Sequence, residues 1–401
     1  MKKILIFIAA LFVLAGCTQE KLVTLVNPID LDRPDEPVLL ERDQLEQITG
    51  DLSPGQFILA TDQDGNNVPN QLDDLDGDGK WDKVAMVYSF HANQTVSLSI
   101  TVIEEKPEFL FRTNIRFANY EPPNEEYETG ERLQTPLNTI TQKNFQMEGP
   151  GWENDIVGFR NYFDQRNGMD IFGKKTSEMV LDSCGINEDY HSMQSWGMDV
   201  LKVGTSLGAG SIGMFKDGEL FRIGDSGTGT FKIVTEGPVR SVFKFTFNDW
   251  VCGDQLFNIV HYVTIWAGSY GYDNTVVIKD KEGTLISGLV NMHTDTLFVN
   301  EFEDYVSLAT HGPQAELDKY LGMGLLIPAE LYQGHGEAPE SGDGITQTCY
   351  GKIRMEPDQM VTFHFLTGWE DQDSKFTELD EFLKLLEFDA KRRSNPIQVS
   401  F

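Results

Sequence analysis

The chain has 401 residues, a formal net charge of −31 and an apolar content of 40%. That charge repels phosphates and so argues against a nucleic-acid partner, while an anionic ligand would need a local basic pocket. With 26 phenylalanines and 12 tyrosines there is material for a large core, and four cysteines are too few for a disulfide scaffold.

The first element concerns export. Lys2 and Lys3 precede an unbroken apolar run from Ile4 to Ala15, which ends in "LAGC", Leu14 to Cys17. The run is too short to span a bilayer as a helix and matches the hydrophobic region of an export signal. Residues 1–17 are therefore expected to be a bacterial lipoprotein signal. Cys17 would become the lipidated N-terminus, placing the protein in the cell envelope, anchored to the membrane on its periplasmic face or at the cell surface. Cys184, Cys252 and Cys349 then remain, enough for one disulfide at most.

Residues 18–110 carry five short strand-like runs: "KLVTLVN", "EPVLLE", "QFILAT", "KVAMVYSF" and "TVSLSITVIEE". Turn residues separate them, and the spacing predicts a small β-sandwich. Within it, "DDLDGDGKWDKV" places Asp74, Asp76, Asp78 and Asp82 at the first, third, fifth and ninth positions of a loop, with Gly79 at the sixth. Alternating carboxylates on a tight turn suit Ca²⁺. The glutamate of an EF-hand is missing, since Ala85 stands at the twelfth position, so a structural calcium loop between strands is expected.

The proline-containing "KPEFLF" and the polar "YEPPNEEYETGE" mark a soft boundary. From residue 111 to 401 the strands lengthen, as in "NDIVGFRNYFD", "GTFKIVTEGPVRSVFKFTFNDW", "QLFNIVHYVTIWAG", "TVVIKDKEG" and "MVTFHFLTGW". This predicts a large antiparallel sandwich and an all-β protein. One helix is expected near the end, where Leu379, Phe382, Leu383 and Leu386 form a stripe that finishes in Lys391, Arg392 and Arg393.

No H-E-x-x-H or P-loop pattern occurs, and no organic cofactor is expected. On the strand around His261, alternation groups that histidine with Phe257, Ile259, Val263 and Ile265, a core row. The other face, with Asn258, Tyr262, Thr264 and Trp266, reads as a groove suited to sugar rings. Arg160 and Tyr162 share a face. The arginine could pair with Asp155, Asp170 or Asp199, or offer its planar fork to a ligand carboxylate. His191 sits among Tyr190, Ser192 and Gln194, in a loop feeding a segment with Asp199 and Lys202. His364 and Trp369 are further candidates.

"GWENDIVGFRNYFD", "IFGKK", "YHSMQSWGMDVLKVGTSLGAG", "EGPVRS", "GYDNTV" and "FLTGWEDQD", in that order, resemble a secreted Bacteroidota family, domain of unknown function 4861. "DLDGDGKWD" resembles that family's N-terminal part, and the resemblance runs over residues 20 to 390. It implies a galactose-mutarotase-like supersandwich and a link to oligosaccharide dehydratases of polysaccharide-utilisation systems. Those enzymes eliminate water from a non-reducing terminal uronic acid.

Such chemistry needs a base for the proton alpha to the carboxylate, a donor for the leaving hydroxyl and neutralisation of the enolate. The expected roles are base for His191, acid for Tyr190 or Tyr262, and carboxylate clamp for Arg160 with Lys202; a phenol beside a histidine can be donor or base, so the first two roles can also be exchanged. Trp266, Asn258, Trp369, Asp199 and His364 would line the oligosaccharide. A lyase on the same scaffold would instead break a glycosidic bond, and a sugar-binding lipoprotein would need Trp266 and Trp369 but not His191.

Overall fold

The computed structural model describes residues 21–134, 144–224, 226–294 and 296–401. The signal segment and Cys17 lie outside them. Among the described residues no helix is long and apolar enough to cross a membrane.

The first part contains β1 (Leu22–Val26), β2 (Arg33–Glu41), α1 (Arg42–Thr49), β3 (Phe57–Thr61), β4 (Asn67–Val68), β5 (Asn70–Asp73), β6 (Lys83–Phe90) and β7 (Thr95–Ile103). β1, β7, β3 and β4 form one sheet, and β2, β6 and β5 face it as another. Alternate residues such as Val96, Leu98 and Ile100 fill a core of their own. All five strands expected from the sequence are present. Helix α1 was not expected, because its only buried residue is Leu45 and one apolar position makes no stripe.

The larger part continues with β8 (Thr113–Arg116), β9 (Thr129–Glu131), β10 (Gly151–Asn154), β11 (Val157–Asn161), β12 (Met169–Lys174) and β13 (Gly197–Asp199). Then follow β14 (Ala209–Lys216), β15 (Glu219–Arg222), β16 (Thr228–Glu236), β17 (Arg240–Cys252), β18 (Gln255–Trp266), β19 (Gly271–Ile278) and β20 (Gly283–Val290). The last are β21 (Phe298–Glu301), β22 (Tyr305–Gly312), β23 (Leu321–Pro328), β24 (Tyr332–Glu337), β25 (Thr348–Met355), β26 (Met360–Trp369), α2 (Leu379–Ser394) and β27 (Gln398–Ser400).

A nine-stranded antiparallel sheet, ordered β21-β22-β23-β26-β19-β18-β17-β16-β9, forms one layer. Two five-stranded sheets, β13-β12-β11-β10-β8 and β15-β14-β20-β25-β24, share a single apolar core with it. The expected all-β class with a C-terminal helix is what the chain adopts. The run from Asn154 to Asp164 is not one long strand, however. Asn154 Oδ1 accepts the Ile156 and Val157 amides at 2.9 Å each and turns the chain between β10 and β11.

Helix α2 lies on the outer face of the nine-stranded sheet. Gly322 and Gly324, two residues apart on β23, let it approach. A Cβ on Gly322 would stand 2.4 Å from the Phe382 ring, and one on Gly324 2.7 Å from Leu386. After α2 the chain returns to pair β27 with β1, so it ends in the first sheet. The two sandwiches also meet through a buried Asp73–Arg240 ion pair.

Candidate active site

In β11 and β12 the odd-numbered Phe159 and Ile171 enter the core, while Arg160 and Asp170, opposite each other in register, point the other way. That outer face does not meet solvent. Residues 175–196 fold over it, and Phe172, Val180, Leu181, Cys184, Tyr190 and Trp196 make a small apolar cluster with Met147. Lys174 and Glu153 pair beneath this cover at 2.6 Å with no exposed side-chain surface. The other Glu153 oxygen accepts the Val180 and Leu181 amides at 2.8 Å each. Removing either partner would leave a bare buried charge, so the pair fixes where the covering segment sits.

Arg160 is the hub. Its guanidinium bonds Asp170 Oδ2 through Nε (3.1 Å) and Nη2 (2.8 Å), Asp199 Oδ2 (2.6 Å), the Tyr162 hydroxyl (2.8 Å), the Tyr190 hydroxyl (2.9 Å) and the Met147 carbonyl (3.3 Å). Tyr162 in turn donates to Asp170 at 2.6 Å. Burial, followed by the neighbouring Asp199 charge, pushes the Asp170 carboxyl up to about 7 despite the guanidinium.

Asp199 faces outward from this hub as well. Its Oδ2 lies 3.2 Å from His191 Nδ1, with Asp199 5% exposed and His191 58% exposed. The hydrogen bond to Asp199 is the main reason the imidazole pKa is raised above its ordinary 6.5. The Tyr190 and His191 ring centroids are 4.4 Å apart. Burial pushes the Tyr190 phenol up to about 12, so it stays protonated. A buried carboxylate holding one nitrogen of a half-exposed histidine can orient a general base, and beside it lies a protonated phenol that is itself 5% exposed.

One further group adjoins the hub, and it did not stand out in the sequence. Arg166 lies 4.1 Å from the Tyr162 ring centroid and pairs with Asp164 (2.7 Å) and Glu148 (2.6 Å) through Nη2. Its Nη1 has no hydrogen-bond partner among the described residues. A two-residue Asp-x-Arg spacing in a loop carries no periodic signal that would have revealed it.

Several expected site residues fall elsewhere. Arg160 cannot serve as a carboxylate clamp: it is 1% exposed and its donors are committed to Asp170, Asp199, both tyrosines and Met147. Lys202 is exposed and lines a separate depression of about 200 Å³ with His293 and Glu316. Tyr262 and Asn258 lie on the outer face of β18, so the whole core separates them from the outward-facing Arg160 of the opposing sheet.

Trp266 is 7% exposed and packs against Ala85 and Val87 where the sandwiches meet, under the Arg240 guanidinium at 5.0 Å. Trp369 is 3% exposed, in the core against Gly173. Neither ring is available as a sugar platform. His364 is buried beneath α2, with Nδ1 2.8 Å from Asp273, which also pairs with Arg393 at 2.8 Å. His261 is fully buried and bonded to Asn274 at 2.7 Å, the core role expected for it.

In the acidic loop, ligand atoms of Asp74, Asp76 and Asp78 all lie within 4.8 Å of one another, a spacing one hard cation can bridge. Asp82 is not in that group. Its Oδ2 accepts the Leu75 amide at 2.7 Å and shapes the loop instead.

The sequence pattern of the family described as domain of unknown function (DUF4861) matches residues 25–399. The chain belongs to this family. The DUF4861 match runs from β1 to β27 and so takes in both sandwiches. Uncharacterized protein P7 of Formosa agariphila is similar at 22% identity over 408 residues, covering 99% of this chain and 98% of that protein. Two solved structures align with 96% of this chain at 11% identity. One is an alpha-mannosidase from Enterococcus faecalis V583 (TM-score 0.48), and the other a protein in glycosyl hydrolase family 38 from Enterococcus faecalis (TM-score 0.47). The chain spans 46% and 47% of their lengths.

Proposed function

We propose that this DUF4861 protein is a carbohydrate-active enzyme of the cell envelope, anchored through Cys17, that removes water from a non-reducing terminal uronic acid. The observation that carries the reading is the His191–Asp199 pair, with the largely buried Tyr190 ring against the imidazole and its hydroxyl held by Arg160. The resemblance to oligosaccharide dehydratases gives the substrate class.

In this mechanism His191 Nε2 takes the C5 proton, and the electron pair of that bond forms the C4–C5 double bond. The C4–O bond breaks, and the hydroxyl leaves as water with the proton of Tyr190. Asp199 stabilises the imidazolium that forms. Arg160 is a positioning residue: it donates to the Tyr190 hydroxyl and holds Asp199 in place. Neutralising the substrate carboxylate falls to Arg166, through the Nη1 that has no partner among the described residues. Asp74, Asp76 and Asp78 would hold a structural calcium ion away from this chemistry.

The test is formation of the conjugated product, which absorbs in the ultraviolet, from a uronate-ended oligosaccharide. His191→Ala and Tyr190→Phe should each lower turnover by about 10²–10⁴-fold with folding intact. Turnover like the wild type in both variants would reject the assignment.

A further inference from the structure

A cleft of about 520 Å³ opens where the two sandwiches meet. None of its lining residues belongs to the His191 surface. Phe57 of β3 and the connecting-segment residues Phe109 and Phe111 supply aromatic walls, and Asn70 and Glu236 supply polar ones. The walls are fixed in advance. Gln71 accepts the Val239 and Arg240 amides (3.1 and 3.0 Å) and donates to the Arg240 carbonyl (2.9 Å), beside the buried Asp73–Arg240 pair.

Two acceptors here lack protein partners. Asn70 is only 5% exposed and its Nδ2 donates to the Val68 carbonyl at 2.9 Å, but its amide oxygen takes no hydrogen bond from the described residues. Glu236 Oε1 accepts the Ile115 amide at 2.6 Å, and Oε2 has no partner among the described residues. An almost buried acceptor without a donor calls for one from a ligand or water. Phe111, 49% exposed, stands at the cleft as an uncovered ring.

We propose that this cleft binds a neutral sugar unit of a glycan chain, as a second site separate from His191. A sugar ring offers an apolar C–H face to the phenylalanines and hydroxyl donors to the Asn70 and Glu236 oxygens. The cleft's charged lining, Glu108 and Glu236 against Lys106, carries an excess of negative charge and so disfavours a uronate. A glycan held here by an interior neutral unit would stay near the enzyme between turnovers, raising the local concentration of its ends. The site stands on its own lining and does not depend on the dehydration reading.

Isothermal titration with gluco-, manno-, galacto- and xylo-configured tetrasaccharides, and trigalacturonate as the acidic control, tests it. At least one neutral tetrasaccharide should bind wild type and His191→Ala alike, and more tightly than trigalacturonate does. Phe111→Ala and Glu236→Ala should each weaken it by about tenfold. The exposed Phe111 makes a folding failure easy to separate by circular dichroism, and product formation from a short uronate-ended substrate should be unchanged in Phe111→Ala. Absence of binding by every neutral probe, or binding that survives both cleft variants, would overturn the proposal.

Discussion

Replacing Arg160 by methionine keeps the size of the side chain and removes the charge on which the site is built. Asp170 and Asp199 would then face each other with side chains 1% and 5% exposed and no cation between them. Breaking a buried pair by deleting one partner costs about 3–5 kcal/mol, a large fraction of the 5–15 kcal/mol that holds an ordinary domain together. The cost should depend on pH, and its sign follows from Asp170. That carboxyl is held at about 7 in the folded state against 3.8 ordinarily, so between those values the folded protein binds the extra proton and loses stability as pH rises. Without Arg160 the carboxyl moves higher still, and the loss continues above 7. Guanidinium unfolding midpoints measured near pH 5 and pH 8 should therefore show a larger deficit for Arg160→Met at the higher pH. A midpoint equal to the wild type, or a deficit independent of pH, would refute the picture of a buried hub.

Further expectations follow from single contacts. Asp199→Asn removes the main cause of the raised His191 pKa, so the imidazole should titrate lower by NMR and the acidic limb of the rate profile should shift with it. The stability contributed by that pair is full below 6.5 and is lost as pH rises through the raised folded value, a dependence the variant should lack. In the acidic loop, terbium should bind in place of calcium and give emission sensitised by the adjacent Trp81. Asp78→Asn should weaken that emission, and an unchanged signal would remove Asp78 from the ligand set. Gly322→Ala should lower stability by about 1–3 kcal/mol by pushing Phe382 and α2 off the sheet, visible as faster amide exchange in α2.

The architecture was readable because long strands with one buried face repeat every second residue, as Phe257, Ile259, His261, Val263 and Ile265 do. The same alternation correctly put His261 in the core. It misplaced Tyr262 and Asn258, because alternation separates the two faces of a strand but does not say which sheet of the sandwich faces a given loop. Trp266 and Trp369 looked like sugar platforms because an aromatic residue at a strand end reads the same whether it meets solvent, another sandwich or a glycine such as Gly173. Arg160 was legible as a costly mid-strand charge with Asp155, Asp170 or Asp199 as candidate partners, of which Asp155 pairs with Arg112 instead. The use of Asp170 and Asp199 at once was hidden, because the segment that buries Arg160, residues 175–196 following β12, has no regular structure whose pattern could be read.

In the proposed mechanism the His191–Asp199 pair, with Tyr190, removes water from a sugar acid. The most direct test is the mass spectrum of a uronate-ended oligosaccharide incubated with the wild-type protein and with His191→Ala. A product lighter by one water, with chain length unchanged, is expected from the wild type alone. Two shorter fragments, an unaltered substrate, or the same dehydrated product from His191→Ala would contradict that mechanism.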